Sequence, residues 1–333
     1  MRNTELTARR VRAYLRSGAA AMALATLLPL GRLRAQEAAD SGDAKVRHRR
    51  QMLVDAAWLS ARLDSTNVIV VHVGRSDSAY RAGHVPGARF LPLAAVAATV
   101  GGIPNEFPAP DRMAEAFRAL GVGDRDQVVL YGDDPGLFAA RAWVALDLLG
   151  HGDHAALLDG GLTRWRAEHR PLGTTVPAPR PATLTVRLQA QRVADAAWVR
   201  AHLADPAVAF IDARPAEQFA GAEPPCTSQP CHEIPEPRRG HLPGAHNVYW
   251  MNALVSREDP VMKPMHALHH EVWAESGADA APVTTVVTYC RTGMQASHAY
   301  FVARYIGYAD VRLYDGSFLE WAGLPAADSP VAR

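Results

Sequence analysis

The chain repeats itself, and the repeat limits its possible folds more than any other feature. Val68–Val73 reads as a strand followed by Gly74-Arg75 and Tyr80. Val208–Asp212, with Ala213-Arg214 and Phe219 after it, matches this block at an offset of 139 residues. Gly83-His84-Val85-Pro86-Gly87-Ala88 returns as Gly240-His241-Leu242-Pro243-Gly244-Ala245 at an offset of 157. Val128–Tyr131 returns as Val286–Tyr289 at 158, and Asp159-Gly160-Gly161 with Trp165 returns as Asp315-Gly316-Ser317 with Trp321 at 156. Four blocks in one order define two copies, and the jump from 139 to 157 places an insertion of about 18 residues within Ala220–Arg239 of the second.

Each copy alternates short Val/Ile-rich runs with helical stretches. Runs that are apolar throughout suit strands buried on both faces. Ala139–Leu149 and Ala296–Ile306 read as helices, with Gly150 and Gly307 as their C-terminal stops. Strand–helix alternation predicts an α/β fold in which each copy forms a mostly parallel sheet flanked by helices. A length of 333 residues also exceeds what one core usually supports. Prolines 171, 177, 179 and 181 mark the boundary, since Pro continues neither a helix nor a central strand. The expected organisation is a first domain over 51–175, a linker over 176–190 and a second domain over 191–330.

The copies differ where chemistry is expected. In open α/β sheets, ligands bind outside the carboxyl ends of strands. There the second copy carries Cys290-Arg291-Thr292-Gly293-Met294-Gln295-Ala296 leading into a helix, whereas the first carries Gly132-Asp133-Asp134-Pro135-Gly136. A short loop entering a helix N-terminus aims several N–H groups at one point. A Cys at that point is expected to have a lowered pKa and to act as a nucleophile, with Arg291 and Thr292 adding a cation and a hydroxyl. A Cys-dependent phosphatase would need Cys-x5-Arg, but the sixth residue after Cys290 is Ala296.

Over residue 51 to about residue 324 the chain resembles the tandem-domain rhodanese sulfurtransferases, the thiosulfate and 3-mercaptopyruvate sulfurtransferase family. The residues that carry the likeness are both Gly-His-x-Pro-Gly-Ala blocks, Asp212-Ala213-Arg214, Tyr289-Cys290-Arg291-Thr292-Gly293 and Asp315-Gly316-Ser317. The resemblance implies two rhodanese-like domains, the first catalytically inactive and the second catalytic, with no cofactor. It implies double displacement. Cys290 takes a sulfane sulfur from a small anionic donor as a persulfide, then passes it to cyanide or a thiol. The backbone from Arg291 through Thr292, Gly293, Met294 and Gln295 to Ala296 would cradle that persulfide, with Arg291 orienting the donor. In the family a cationic loop accompanies thiosulfate, and a small neutral Gly-Ser loop accompanies mercaptopyruvate. Arg291 therefore favours thiosulfate, although Thr292 stands where the animal enzymes carry a second cation. Gln218 replaces an Arg found in many relatives four residues after Arg214, which weakens mercaptopyruvate further. Arg214 is expected at the site rim as a substrate contact or else in a structural salt bridge with Asp212. Asp212, Asp315 and Ser317 are expected to support the loop. An alternative role is a non-enzymatic exported sulfur carrier or sensor.

Residues 1–35 hold seven arginines against Glu5, a local charge of +6 that leaves −5 on the remainder of a chain with net charge +1. A mildly acidic body with no basic stripe makes nucleic acid an unexpected partner. The basic Met1–Arg16, the uncharged Gly18–Leu30 and the small Ala35 have the layout of a secretory signal, followed by a polar linker over 36–50. Thirteen apolar residues fall short of a span, so export to the periplasm is expected without a stable membrane anchor. Arg9-Arg10 raises the twin-arginine route, which Val11-Arg12-Ala13 fits poorly. A monomer is expected, because the two joined domains already bury a dimer-like interface. Cys226 and Cys231, in the insertion, suit a local disulfide in an oxidising compartment; a zinc site would need two more ligands, and none is expected. Mass spectrometry of protein from the exported fraction, with thiols alkylated before and after reduction, should find one free thiol, at Cys290; three free thiols would refute the bond.

Overall fold

The computed structural model describes residues 51–178, 180–222, 238–274, 277–278 and 283–333. The signal-like segment, Cys226 and Cys231 lie outside the described residues. The first half supplies β1 (Leu53–Val54), β2 (Val68–Gly74), β3 (Arg89–Pro92), β4 (Ala98–Val100), β5 (Ile103–Glu106), β6 (Gln127–Gly132) and β7 (Ala155–Leu158). The second supplies β8 (Val193–Ala194), β9 (Val208–Asp212), β10 (His246–Asn247), β11 (Thr285–Tyr289) and β12 (Asp310–Tyr314). One sheet runs β1-β7-β6-β2-β3 and the other β8-β12-β11-β9-β10, with every pairing parallel. The orders match strand for strand, as the repeat requires. β4 and β5 form a separate antiparallel ribbon.

Repeated residues do repeated work. His84 Nδ1 bonds the Tyr80 carbonyl at 2.7 Å and stacks on that ring, and His241 does the same with Phe219 at 2.9 Å. The buried indoles of Trp165 and Trp321 donate to the carbonyls of Pro171 and Pro330. These partners explain why a strand, a Gly-His turn and a later Trp recur together: each half closes its own ends with them.

Two long helices join the halves. α1 (Leu137–Leu148) is Ala-rich and buried from Ala139 to Leu148, because one side faces its own sheet and the other faces the partner helix. α2 (Met294–Ile306) is its repeat mate and is buried over most of its length. Trp143 meets Phe301 edge to face at 5.0 Å, and the Tyr300 hydroxyl donates to Asp147 at 2.6 Å. Core residues of both halves merge across this contact into one cluster. No helix among the described residues is long and apolar enough to cross a membrane. Phe301→Ala, which empties the centre of this contact, should cost about 3–5 kcal/mol of stability by denaturant titration; a loss below about 1 kcal/mol would show that the contact does not hold the halves together.

Candidate functional site

Cys290 sits where β11 ends and the chain turns into α2. Gly293 caps that helix at φ 85°, in the left-handed region. A Cβ there would stand 3.1 Å from the Asp315 carbonyl oxygen and 3.2 Å from Arg141 Nη1, so only glycine fits without displacing them. The turn brings the backbone N–H groups of Thr292, Gln295 and Ala296 onto the Cys290 sulfur. Met294 is buried beside them and Gln295 is partly exposed.

The sulfur is deeply placed, with Cys290 only 1% exposed. Burial pushes the Cys290 thiol up from its ordinary pKa; the three N–H groups pull it back, and the charge of Asp212 adds to the rise. The expected lowering of the free thiol's pKa is therefore reversed. The loop composition predicts the donors, while the loss of water around the sulfur outweighs them. The same donors remain aimed at any anion formed on that sulfur.

The loop is anchored from below. The Cys290 N–H donates to Ser317 Oγ at 3.3 Å, and Ser317 donates in turn to the Tyr314 carbonyl at 2.8 Å. Phe318 and Leu319, in α3 (Ser317–Gly323), donate from their backbone to the carbonyls of Cys290 and Arg291. Ser317 takes a positive φ of 55°, and so does Asn105 at 66°. Among the described residues, two of the three non-glycine residues in this region thus stand at one site, the usual place for stored backbone strain.

The first half completes the arrangement, through residues that belong to none of the repeated blocks. Asn105 Nδ2 donates to Thr292 Oγ1 at 2.9 Å, and the Phe107 N–H donates to Asp315 Oδ2 at 2.6 Å. Arg141, fully buried on α1, pairs with Asp315 Oδ1 at 2.8 Å and reaches Ser297 Oγ at 3.4 Å. It also donates to the carbonyls of Val96 and Asn105, and its guanidinium lies 3.5 Å from the centre of the Phe107 ring. The nearest sequence signal was Arg141 itself, one of two charged residues, with Asp147, in a mostly apolar helix.

Of the two places expected for Arg214, the structure shows the salt bridge with Asp212. Arg214 is 1% exposed. Its Nε and Nη2 both bond the Asp212 carboxylate, at 2.9 and 2.6 Å, and Nη2 donates to the Gly240 carbonyl at 2.7 Å. Packed over the Phe318 ring at 4.2 Å, it is held in the interior as the partner of Asp212. Asp212 serves that ion pair. Arg291 is partly exposed at the loop.

The Rhodanese-like domain family matches residues 55–168 and 195–324. A Pseudomonas aeruginosa protein named "Probable 3-mercaptopyruvate sulfurtransferase" is 35% identical over 280 residues, covering 81% of this chain and 94% of the relative. The thiosulfate sulfurtransferase of Corynebacterium glutamicum is 31% identical over 279 residues, covering 82% and 88%. The chain belongs to the tandem-domain rhodanese sulfurtransferases. The crystal structure of the 3-mercaptopyruvate sulfotransferase SseA from Escherichia coli shares the fold, with a TM-score of 0.67 at 24% identity, covering 80% of this chain and 98% of that one.

The other half of this rhodanese shows what the cradle becomes without a thiol. Gly132 ends β6, and a Cβ there would lie 2.7 Å from Asp134 Oδ1. The Asp134 carboxylate accepts from the Leu137 and Phe138 N–H groups that open α1. The first cradle is thus filled by its own side chain, whose pKa burial raises to about 6. Asp315→Ala, which strands the buried Arg141 guanidinium, should cost about 3–5 kcal/mol by chemical unfolding. Asp315→Asn, which keeps an acceptor for Phe107, should cost less; no loss from Asp315→Ala would mean that the pair does not carry the contact.

Proposed function

We propose that this rhodanese is a thiosulfate sulfurtransferase that works through a persulfide on Cys290. The observation that carries the reading is the convergence of three N–H groups on one thiol, with the Arg291 cation beside it. In the first step a bond forms between Cys290 Sγ and the outer sulfur of thiosulfate, and the bond between the two donor sulfurs breaks. The electron pair leaves with sulfite. Because burial favours the protonated thiol, its proton leaves as well, so the products are hydrogensulfite and a persulfide anion. The N–H groups of Thr292, Gln295 and Ala296 hold that anion by charge-assisted bonds already in place. In the second step cyanide or a thiolate attacks the outer sulfur and takes it away, and Cys290 is regenerated as a thiolate that regains a proton from water.

Arg291 draws the donor's anionic end, while Asp315 and Ser317 fix the loop. Thiosulfate is favoured by Arg291 and by Gln218, which offers no charge for a carboxylate. The 35% identity to the Pseudomonas aeruginosa relative supports mercaptopyruvate as the second reading. The Arg-rich start and uncharged run of residues 1–35 support export to the periplasm, with the mature chain acting as a monomer.

Intact mass after thiosulfate treatment should rise by about 32 Da, on the peptide bearing Cys290, and cyanide should remove the gain. Cys290→Ser should show no gain. Steady-state kinetics on both donors separates the readings: turnover of mercaptopyruvate with negligible turnover of thiosulfate would overturn the donor assignment.

A further inference from the structure

The ribbon formed by β4 and β5 belongs to the first half, yet its end lies on the second half's active loop. Asn105 bonds Thr292 and Phe107 bonds Asp315, so the backbone of the residue between them is held against the active loop. That residue is Glu106, partly buried at the end of β5. Charged and titratable groups from the surrounding elements interact with its carboxyl: Tyr314 at the end of β12, Asp315 in the turn that follows, Glu320 from α3 and Arg141 from α1. Arg141, the cation of the group, is already paired with Asp315. Glu320 folds back over the turn, its Oε2 occupying the space that a Cβ on Gly316 would need. The cradle therefore adjoins acidic side chains contributed by both halves, on the opposite sign to Arg291.

We infer that Glu106 is a specificity-determining residue that grades the entry of anionic donors to Cys290, admitting them when its carboxyl is neutral and opposing them when it is ionised. The inference rests on the reading of Cys290 as the thiol that receives sulfur. Burial, with the like charges of Asp315 and Glu320, holds the Glu106 carboxyl up to about 7, against the pull of Arg141. The group is thus neutral below that pH and charged above it. A dianion such as thiosulfate meets twice the repulsion of a monoanion, so raising the pH shifts preference toward donors of lower charge.

Alkylation of Cys290 reads this without any sulfur donor. Iodoacetate is an anion and iodoacetamide is neutral; both react with the thiolate, so their rate ratio cancels the ionisation of Cys290 itself. With modification located on the Cys290 peptide, the wild-type ratio of iodoacetate to iodoacetamide should fall on the order of three- to tenfold as the pH rises from about 6 to 8. Glu106→Gln should give a ratio that is level across that range and higher than wild type at the alkaline end. Glu320→Gln, which removes a like charge and keeps Glu106, should move the fall to lower pH. A purely structural role would slow both reagents alike and leave the ratio unchanged. A wild-type ratio independent of pH, or a Glu106→Gln protein that keeps the wild-type fall, would overturn the inference. Failure to form a persulfide with thiosulfate would instead count against the donor reading, since the alkylation ratio does not depend on it.

Discussion

Three backbone N–H groups converge on the Cys290 sulfur, and most of the second half is arranged so that they can. They converge because β11 ends at Tyr289, Gly293 turns the chain through a left-handed conformation, and α2 begins at once. Burial penalises charge on the sulfur, while the fixed donors stabilise it. Water cannot compete for those donors, so an anion formed there meets partners that need no reorganisation. A buried thiol with a raised pKa and three donors preset for an anion on its sulfur are thus consequences of the same geometry.

The cradle is not the property of one half. Arg141 on α1 reaches the second half's site, and its counterpart on α2, His298, lines the first half's loop cavity with Gly136 and Asp159. Asp315 accepts the N–H of Phe107 across the contact, and Asp159 accepts that of Met262 at 2.8 Å. Each half closes the loop of the other. The chemistry of the exchanged residues differs: a guanidinium serves the thiol site, whereas burial lowers the His298 pKa to about 4 and keeps that imidazole neutral. The repeat therefore preserves the architecture of two sites while only one holds a nucleophile. Asp134 fills the space at the other.

Much of this was legible in the amino-acid sequence. The four repeated blocks predict two parallel-sheet units, and the sheets share one strand order. The Cys290 loop, its helix and the support from Ser317 follow from a strand, a short loop and a glycine. Two things were not legible. Asn105 and Phe107 lie 187 and 208 residues from the groups they bond, and nothing local in Ile103–Phe107 announces a role. Burial was the other, because it depends on how both halves pack. It reverses the expected pKa of Cys290, and it seats Arg214 in the salt bridge with Asp212, which the sequence left as one of two alternatives.

The decisive question is whether the Cys290 sulfur itself carries the transferred atom. The direct measurement is thiocyanate production from thiosulfate and cyanide by purified wild type and by Cys290→Ala, with folding of the variant checked by its unfolding transition. Wild type should turn over and the variant should give no thiocyanate above the uncatalysed background. Sustained turnover by a folded Cys290→Ala protein would contradict the account.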